Sequence, residues 1–279
     1  MRLAYHLVNV FTRDGHALSG NPLCVVEAPE SLPDALMQEL ALQFNLSETT
    51  FIGPSGQASA RVRIFTPGYE MPFAGHPTLG TAHIVRRLQG GDRLTLEMRA
   101  GVIPVEASGD HWTLTAIEPQ HRRAEQASAT VAAAIGLEAR DLAAPVLWVN
   151  AGTEQLVVPL ASTSALERAQ PDAGLLRTIT NAAGVSQALV FVMRDATVAQ
   201  SRFFFQSGAG FLEDPATGSA CANLGGWMLA TGRPLPLGLT VLQGDAVRRP
   251  STLRLSVAAN RRVRVGGDVR YLGSGMLEL

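Results

Sequence analysis

The stretch Phe73-Ala74-Gly75-His76-Pro77-Thr78-Leu79-Gly80-Thr81-Ala82 decides the fold, because its pattern returns as Phe211-Leu212-Glu213-Asp214-Pro215-Ala216-Thr217-Gly218-Ser219-Ala220. His76 and Asp214 stand 138 residues apart (214 less 76), close to half of the 279-residue chain. Arg63-Ile64-Phe65 precedes the first copy and Arg202-Phe203-Phe204 the second. Further upstream, Leu46-Ser47-Glu48-Thr49-Thr50-Phe51-Ile52 matches Val185-Ser186-Gln187-Ala188-Leu189-Val190-Phe191 at an offset of 139 (187 less 48). Two matches in register predict a duplicated domain. The copies differ where chemistry is expected: Glu48 faces Gln187, and His76 faces Asp214. A symmetric scaffold with asymmetric polar residues predicts one active site built between two halves.

Composition bounds the class. With 46% hydrophobic and 17% charged residues, the chain can bury one large core or two modest ones. The net charge is −1 and the arginines are scattered, apart from short pairs such as Arg86-Arg87 and Arg261-Arg262. Nucleic acid and membranes are therefore not expected partners. The start, Met1-Arg2-Leu3-Ala4-Tyr5-His6, lacks the apolar core of a signal peptide, and no apolar run reaches about 18 residues. A cytoplasmic enzyme is the expectation. Cys24 and Cys221 have no metal-ligand spacing and are expected to be reduced and buried.

All 23 basic residues are arginine. Without a lysine the protein cannot form a Schiff base, covalent pyridoxal phosphate included, and a Walker loop would lack its phosphate-binding amine. No Gly-x-Gly-x-x-Gly follows a strand pattern, which argues against a dinucleotide site.

Short β-rich runs at 23–26, 61–65, 93–98, 112–115, 155–158, 253–257 and 263–265 alternate with Gly and Pro, and helical patterns cover 33–42 and 162–169. The segments 78–88 and 217–230 are apolar on nearly every face, and a helix of that kind belongs inside something. The predicted fold is α+β, with two pseudo-symmetric domains, each a curved sheet wrapped around one central helix. The first covers residues 1–118 and the second 119–268, with the tail 269–279 free to return to either half and available to complete the first. Gly225-Gly226 is expected to let the second helix pack closely on the first.

The motifs fall at the beginnings of the two buried helices. Pro77 and Pro215 sit where a missing N–H costs nothing, which leaves neighbouring amides free. Such helix starts attract anions by about 0.3–1 kcal/mol, and up to about 2 kcal/mol when partly buried. Two of them facing one cleft would grip a carboxylate. Glu48, hemmed in by Leu46, Phe51 and Ile52, is the candidate general base. A base working near neutrality wants a pKa of about 6–7 against an unperturbed ~4.3, a shift that partial burial can supply. Asp214 competes for the role, since a carboxylate at a helix start is also an ordinary cap. His83, two helical turns after His76, has no evident third ligand and is read as core packing rather than as part of a metal site.

These residues resemble the PhzF phenazine-biosynthesis family. The resemblance is carried by Gly20-Asn21-Pro22, Leu46-Ser47-Glu48-Thr49-Thr50-Phe51, Arg63-Ile64-Phe65-Thr66-Pro67 and Pro72-Phe73-Ala74-Gly75-His76-Pro77-Thr78-Leu79-Gly80. It continues through Glu213-Asp214-Pro215-Ala216-Thr217-Gly218-Ser219-Ala220 to Gln243-Gly244 and Arg249-Pro250-Ser251. It implies a diaminopimelate epimerase-like fold, a mostly antiparallel sheet in each domain, a homodimer, a small carboxylate substrate, and neither cofactor nor metal. It further implies isomerisation of trans-2,3-dihydro-3-hydroxyanthranilate or a related compound by proton transfer. By the same resemblance Glu48 is the acid/base, His76, Asp214 and Ser219 polarise and orient the substrate, and Gly75 and Gly218 bind it through the backbone. Where the family usually has Phe-x-Pro before the second motif, this chain reads Phe204-Phe205-Gln206, which bears on substrate shape. The rival activities are a thiol-based racemase or epimerase on the same fold and a non-catalytic binding or interaction role. The positions where that racemase carries thiols hold Ala74 and Asp214 here, with the cysteines elsewhere.

Overall fold

Leu23-Cys24-Val25-Val26 reads as an unbroken apolar run because both faces of its strand are covered. The computed structural model describes residues 1–28, 32–208 and 210–279. They divide into two compact units, Met1–Thr115 with Gly266–Leu279, and Ala116–Val265.

In the first unit the chain forms β1 (Arg2–Val10), β2 (Asn21–Glu27), α1 (Asp34–Phe44), β3 (Thr49–Gly53), β4 (Ala60–Phe65) and β5 (Glu70–Met71). It continues through α2 (Gly75–Gln89), β6 (Arg93–Met98), β7 (Gly101–Ser108) and β8 (His111–Thr115), and the last strand of the chain, β17 (Val263–Glu278), returns to it. The pairings run β17–β1–β2–β3–β4–β6–β7–β8, and β8 pairs with β17, so the sheet closes on itself. Of these pairings β2–β3 and β4–β6 are parallel, and each needs a helical crossover. The first crossover, α1, contributes Met37 and Leu40 to one apolar cluster with Cys24 and Val26 of β2, Phe51 of β3 and Phe65 of β4. The second, α2, is buried from Gly75 to Val85, which accounts for its apolar surface on every side. Gly80 of α2 faces Leu23, and a Cβ there would stand 2.6 Å from the leucine methyl.

The second unit contains β9 (Gln120–Arg123), α3 (Ser128–Ala134), β10 (Leu147–Asn150), β11 (Glu154–Pro159), α4 (Thr163–Arg168) and α5 (Ala173–Leu176). There follow β12 (Gln187–Met193), β13 (Val198–Ser207), β14 (Gly210–Asp214), α6 (Gly218–Ala230), β15 (Leu237–Gln243) and β16 (Ser251–Val257). Its strands pair in the order β9–β10–β11–β12–β13–β15–β16, with β11–β12 and β13–β15 parallel. The succession antiparallel, parallel, antiparallel, parallel, antiparallel from β10 to β16 is the one that β1 to β7 follow. The buried helix α6 runs among these strands.

Two sequence expectations change. Gly225 and Gly226 do not serve helix packing: added Cβ atoms would meet Val263 and Leu255 at one glycine and Val149 and Pro119 at the other. The glycines let strands and an extended segment close round α6. The second motif also does not place Asp214 at a helix start. Asp214 ends β14, and α6 begins four residues later, capped by Thr217. The reason is long-range pairing: β14 stays on β13 from Ser207↔Gly210 to Phe203↔Asp214, whereas β5 pairs with β4 only at Glu70 and Met71, which frees the first copy to enter its helix at Gly75.

Candidate active site

In the first unit Asn45 ends α1 in the left-handed conformation, its N–H bonded to the Ala41 carbonyl, and turns the chain so that Glu48 directly precedes β3. The next two residues, Thr49 and Thr50, are fully buried, and the Thr50 hydroxyl meets that of Thr81 on α2 at 2.8 Å. This contact ties the strand carrying Glu48 to the helix carrying His76. Ala74 caps α2 in an extended conformation, Pro77 has no N–H, and the Thr78 N–H bonds Ala74, so the Gly75 and His76 amides belong to the open start of the helix.

Glu48 Oε2 lies 3.5 Å from His76 Nε2, with the two side chains 15% and 5% exposed. The distance suits an ion pair, but burial pushes the His76 pKa down to about 3, opposed only in part by a hydrogen bond to the Pro22 carbonyl. The pair is therefore a neutral imidazole beside a carboxyl group rather than a salt bridge. Asn21, buried in β2, approaches the other ring nitrogen at 3.4 Å. Partial desolvation of its hydroxyl, and secondarily the negative charge of Glu48, raise the Tyr69 phenol above its ordinary value, so Tyr69 lies within electrostatic reach of the carboxylate.

In the second unit Asp214 is 8% exposed and its Oδ2 accepts the Thr217 hydroxyl at 2.5 Å. Gln243 holds this turn from beneath: its Nε2 donates to the Asp214 carbonyl at 2.8 Å, and its Oε1 accepts from the Thr217 N–H at 3.3 Å. Gly244 follows with φ +83°, and a side chain there would strike the carbonyls of Arg249 and Pro215. Gly218 and Ser219 open α6, and Ser219 Oγ accepts from Gln155 Nε2 at 2.9 Å. Gln187, which stands where the first half has Glu48, donates to the Glu154 carbonyl and serves the turn between β10 and β11.

The structure thus brings Glu48 and His76 together in one unit, and places Asp214, Gly218 and Ser219 on one strand-to-helix turn in the other. Asn21, Tyr69, Gln155 and Gln243 had no role assigned from sequence. Gly20-Asn21-Pro22 and Gln243-Gly244 were visible as motifs, and the positive φ of Gly20 and Gly244 marks why glycine stands there. Nothing local marked Tyr69 or Gln155. His83 is buried against Trp112, with ring centroids 6.5 Å apart and its pKa pushed down to about 4 by burial. Among the described residues no group of three or more His, Cys, Asp or Glu is arranged to hold a metal ion, and no helix is long and apolar enough to cross a membrane. Both cysteines are free and buried, and burial pushes the Cys24 thiol up to about 12 and the Cys221 thiol up as well.

Comparison with known proteins adds to this geometry. A 38% identical relative, an uncharacterised isomerase of Pasteurella multocida, aligns over 98% of this chain and 93% of its own. The trans-2,3-dihydro-3-hydroxyanthranilate isomerase of Pseudomonas aeruginosa is 33% identical over 89% of this chain and 88% of its own. The crystal structure of a Bacillus anthracis phenazine biosynthesis protein of the PhzF family superposes over the full length of both chains with a TM-score of 0.86 at 24% identity, which supports the fold. The chain is of the isomerase class. Residues 8–275 match the PhzC-PhzF family of phenazine biosynthesis-like proteins, and the chain belongs to that family.

Proposed function

We propose that the protein moves a proton within a small conjugated carboxylate, trans-2,3-dihydro-3-hydroxyanthranilate or a close relative, with Glu48 as acid and base. The observation that carries this assignment is the Glu48 carboxyl group, largely buried and 3.5 Å from the neutral ring of His76 at the open start of α2. Glu48 takes a proton from one carbon, the released electron pair shifts along the conjugated system, and the same carboxyl returns a proton to another carbon. Atoms and charge balance without a hydride acceptor. Neutral His76 is suited to orienting a polar group of the substrate without competing as a cation. Asp214 and Ser219 are assigned to holding the substrate, and Gly75 and Gly218 to presenting backbone amides to it. A thiol-based racemase is disfavoured, because burial keeps both cysteines protonated.

We further infer that the two units are copies of one domain, supported by their common succession of pairings and by a shared clamp. Arg63 meets Glu70 at 2.7 Å and lies over Phe65, while Arg202 meets Glu213 at 2.7 Å and lies over Phe204. The family resemblance carries with it a cytoplasmic homodimer, which sedimentation would detect as a species of about twice the 29.6 kDa chain. The function is tested by steady-state turnover of trans-2,3-dihydro-3-hydroxyanthranilate. Glu48→Gln is expected to lower kcat by about 10²–10⁴-fold, with the fold retained. Undiminished turnover in that variant would remove Glu48 from the role and direct attention to Asp214.

A further inference from the structure

We infer that Gln155 and Asn223 form a positioning relay that makes the Ser219 hydroxyl an obligatory donor, so that the group it recognises is a hydrogen-bond acceptor, such as a carboxylate or enolate oxygen. This rests on the proposed place of Ser219 in the substrate site. The polarity follows from two backbone groups. The Ala151 N–H can only donate, so the Asn223 atom it meets at 2.7 Å is Oδ1. The Thr153 carbonyl can only accept, so it meets Asn223 Nδ2, at 2.9 Å. That same Nδ2 donates to Gln155 at 2.8 Å, which makes the receiving atom Oε1 and turns Nε2 toward Ser219 Oγ at 2.9 Å. An amide nitrogen has no lone pair to offer, so the Ser219 O–H cannot point back at Gln155. Ser219 is half-buried at the start of α6, and among the described residues its hydroxyl is found accepting from Gln155 and not donating.

The relay is not a requirement of the fold. Cys24 pairs with Thr49 as Leu156 pairs with Ala188, so the place of Gln155 in β11 is held in β2 by Leu23. Asn223 corresponds at the 138-residue offset to Val85. Leu23 and Val85 are both fully buried, as Gln155 and Asn223 are at 1% and 0% exposure. One half fills these positions with hydrocarbon, and the other buries two amides with their bonds satisfied. Buried amides cost desolvation that leucine and valine do not, which points to a use for their direction.

The direct test is a neutron structure of the ligand-free protein after exchange in D₂O. A Gln155 Nε2 deuteron is expected to point at Ser219 Oγ and the Ser219 deuteron to point away from Gln155, and a deuteron bonded to Ser219 Oγ and directed at Gln155 would overturn the relay whatever the substrate. The functional test is Gln155→Glu, which keeps the volume but offers only acceptors when ionised, so Ser219 must turn its proton inward. With trans-2,3-dihydro-3-hydroxyanthranilate, KM is expected to rise by about 10–100-fold, the scale of a lost bond to a charged group. Ser219→Ala should match it, and the double variant should be no worse than either. Acidification that protonates the introduced carboxyl should restore affinity in Gln155→Glu but not in Ser219→Ala. Additive losses, or a Gln155→Glu variant with unchanged KM, would contradict the relay. Absence of turnover in the wild type would instead count against the proposed function, while the deuteron position still decides the relay.

Discussion

His76 and His83 are the residues on which pH should act most visibly. Burial puts their folded pKa values at about 3 and about 4, below the ordinary histidine value of about 6.5. The unfolded chain therefore binds protons that the folded chain refuses, and stability is complete above about pH 6.5 and lost as pH falls toward 4. Urea midpoints at pH 7.5 and pH 5 should show that fall, and it should be smaller in His83→Gln. An acid response unchanged by that substitution would contradict the assignment. His76 stays neutral across the same range, so the activity profile between pH 6 and 8 should carry no limb that disappears in His76→Gln. The cysteines supply a second expectation. Cys24 and Cys221 are buried with raised pKa values, and native protein should resist thiol reagents until it is denatured. Rapid labelling of either thiol in the folded protein would reopen a thiol chemistry.

At the scale of elements, the close fit of α2 within its sheet can be tested at Gly80. A Cβ there would stand 2.6 Å from Leu23 and 2.9 Å from Val10, so Gly80→Ala should destabilise by about 1–3 kcal/mol in chemical denaturation. A neutral result would mean that the strands yield. Arg202 is a sharper case: it bonds Glu213 and also the carbonyls of Leu166 and Ala169 that end α4, with the ion pair 17% and 8% exposed. Arg202→Met leaves Glu213 buried without its cation and should cost about 3–5 kcal/mol. Arg2→Met, whose pair with Glu278 is 71% and 76% exposed, should cost almost nothing. The buried helices were legible in the sequence because a helix apolar on every face must be surrounded to escape water. The start of α6 was not, since residue type at Asp214 and Pro215 suits a helix cap, and only the pairing of β14 along β13 decides that the strand continues. The role of Gln155 was invisible for the same reason: its partners lie on α6, and no local spacing announces them.

At the scale of the molecule, the last residues of the chain belong to the first unit. Residues 269–278 of β17 pair with β1 along Arg2 to Val10. Deleting 269–279 would strip β1 of that partner and open the closed sheet, and the truncated chain should lose solubility by exposing a strand edge. A soluble, cooperatively folded truncation would show that β17 is dispensable to the unit. The sequence left this tail free to join either half, because the strand pattern that identifies β17 says nothing about which neighbour it takes. The repeated motifs, by contrast, were read directly, since matches in register at two places constrain a fold more tightly than any one element. Glu48 and His76 were legible as residues, but their 3.5 Å approach depends on the Thr50–Thr81 contact between β3 and α2, which spacing alone does not supply. The central claim, a proton moved by Glu48, is tested most directly by proton NMR of trans-2,3-dihydro-3-hydroxyanthranilate incubated with the protein in D₂O, beside Glu48→Gln. Isomerised product with the wild type, and about 10²-fold less or lower still with the variant over the same time, is the predicted result, the deuterium content reporting how fast the carboxyl exchanges with solvent. Equal conversion by both proteins would contradict it.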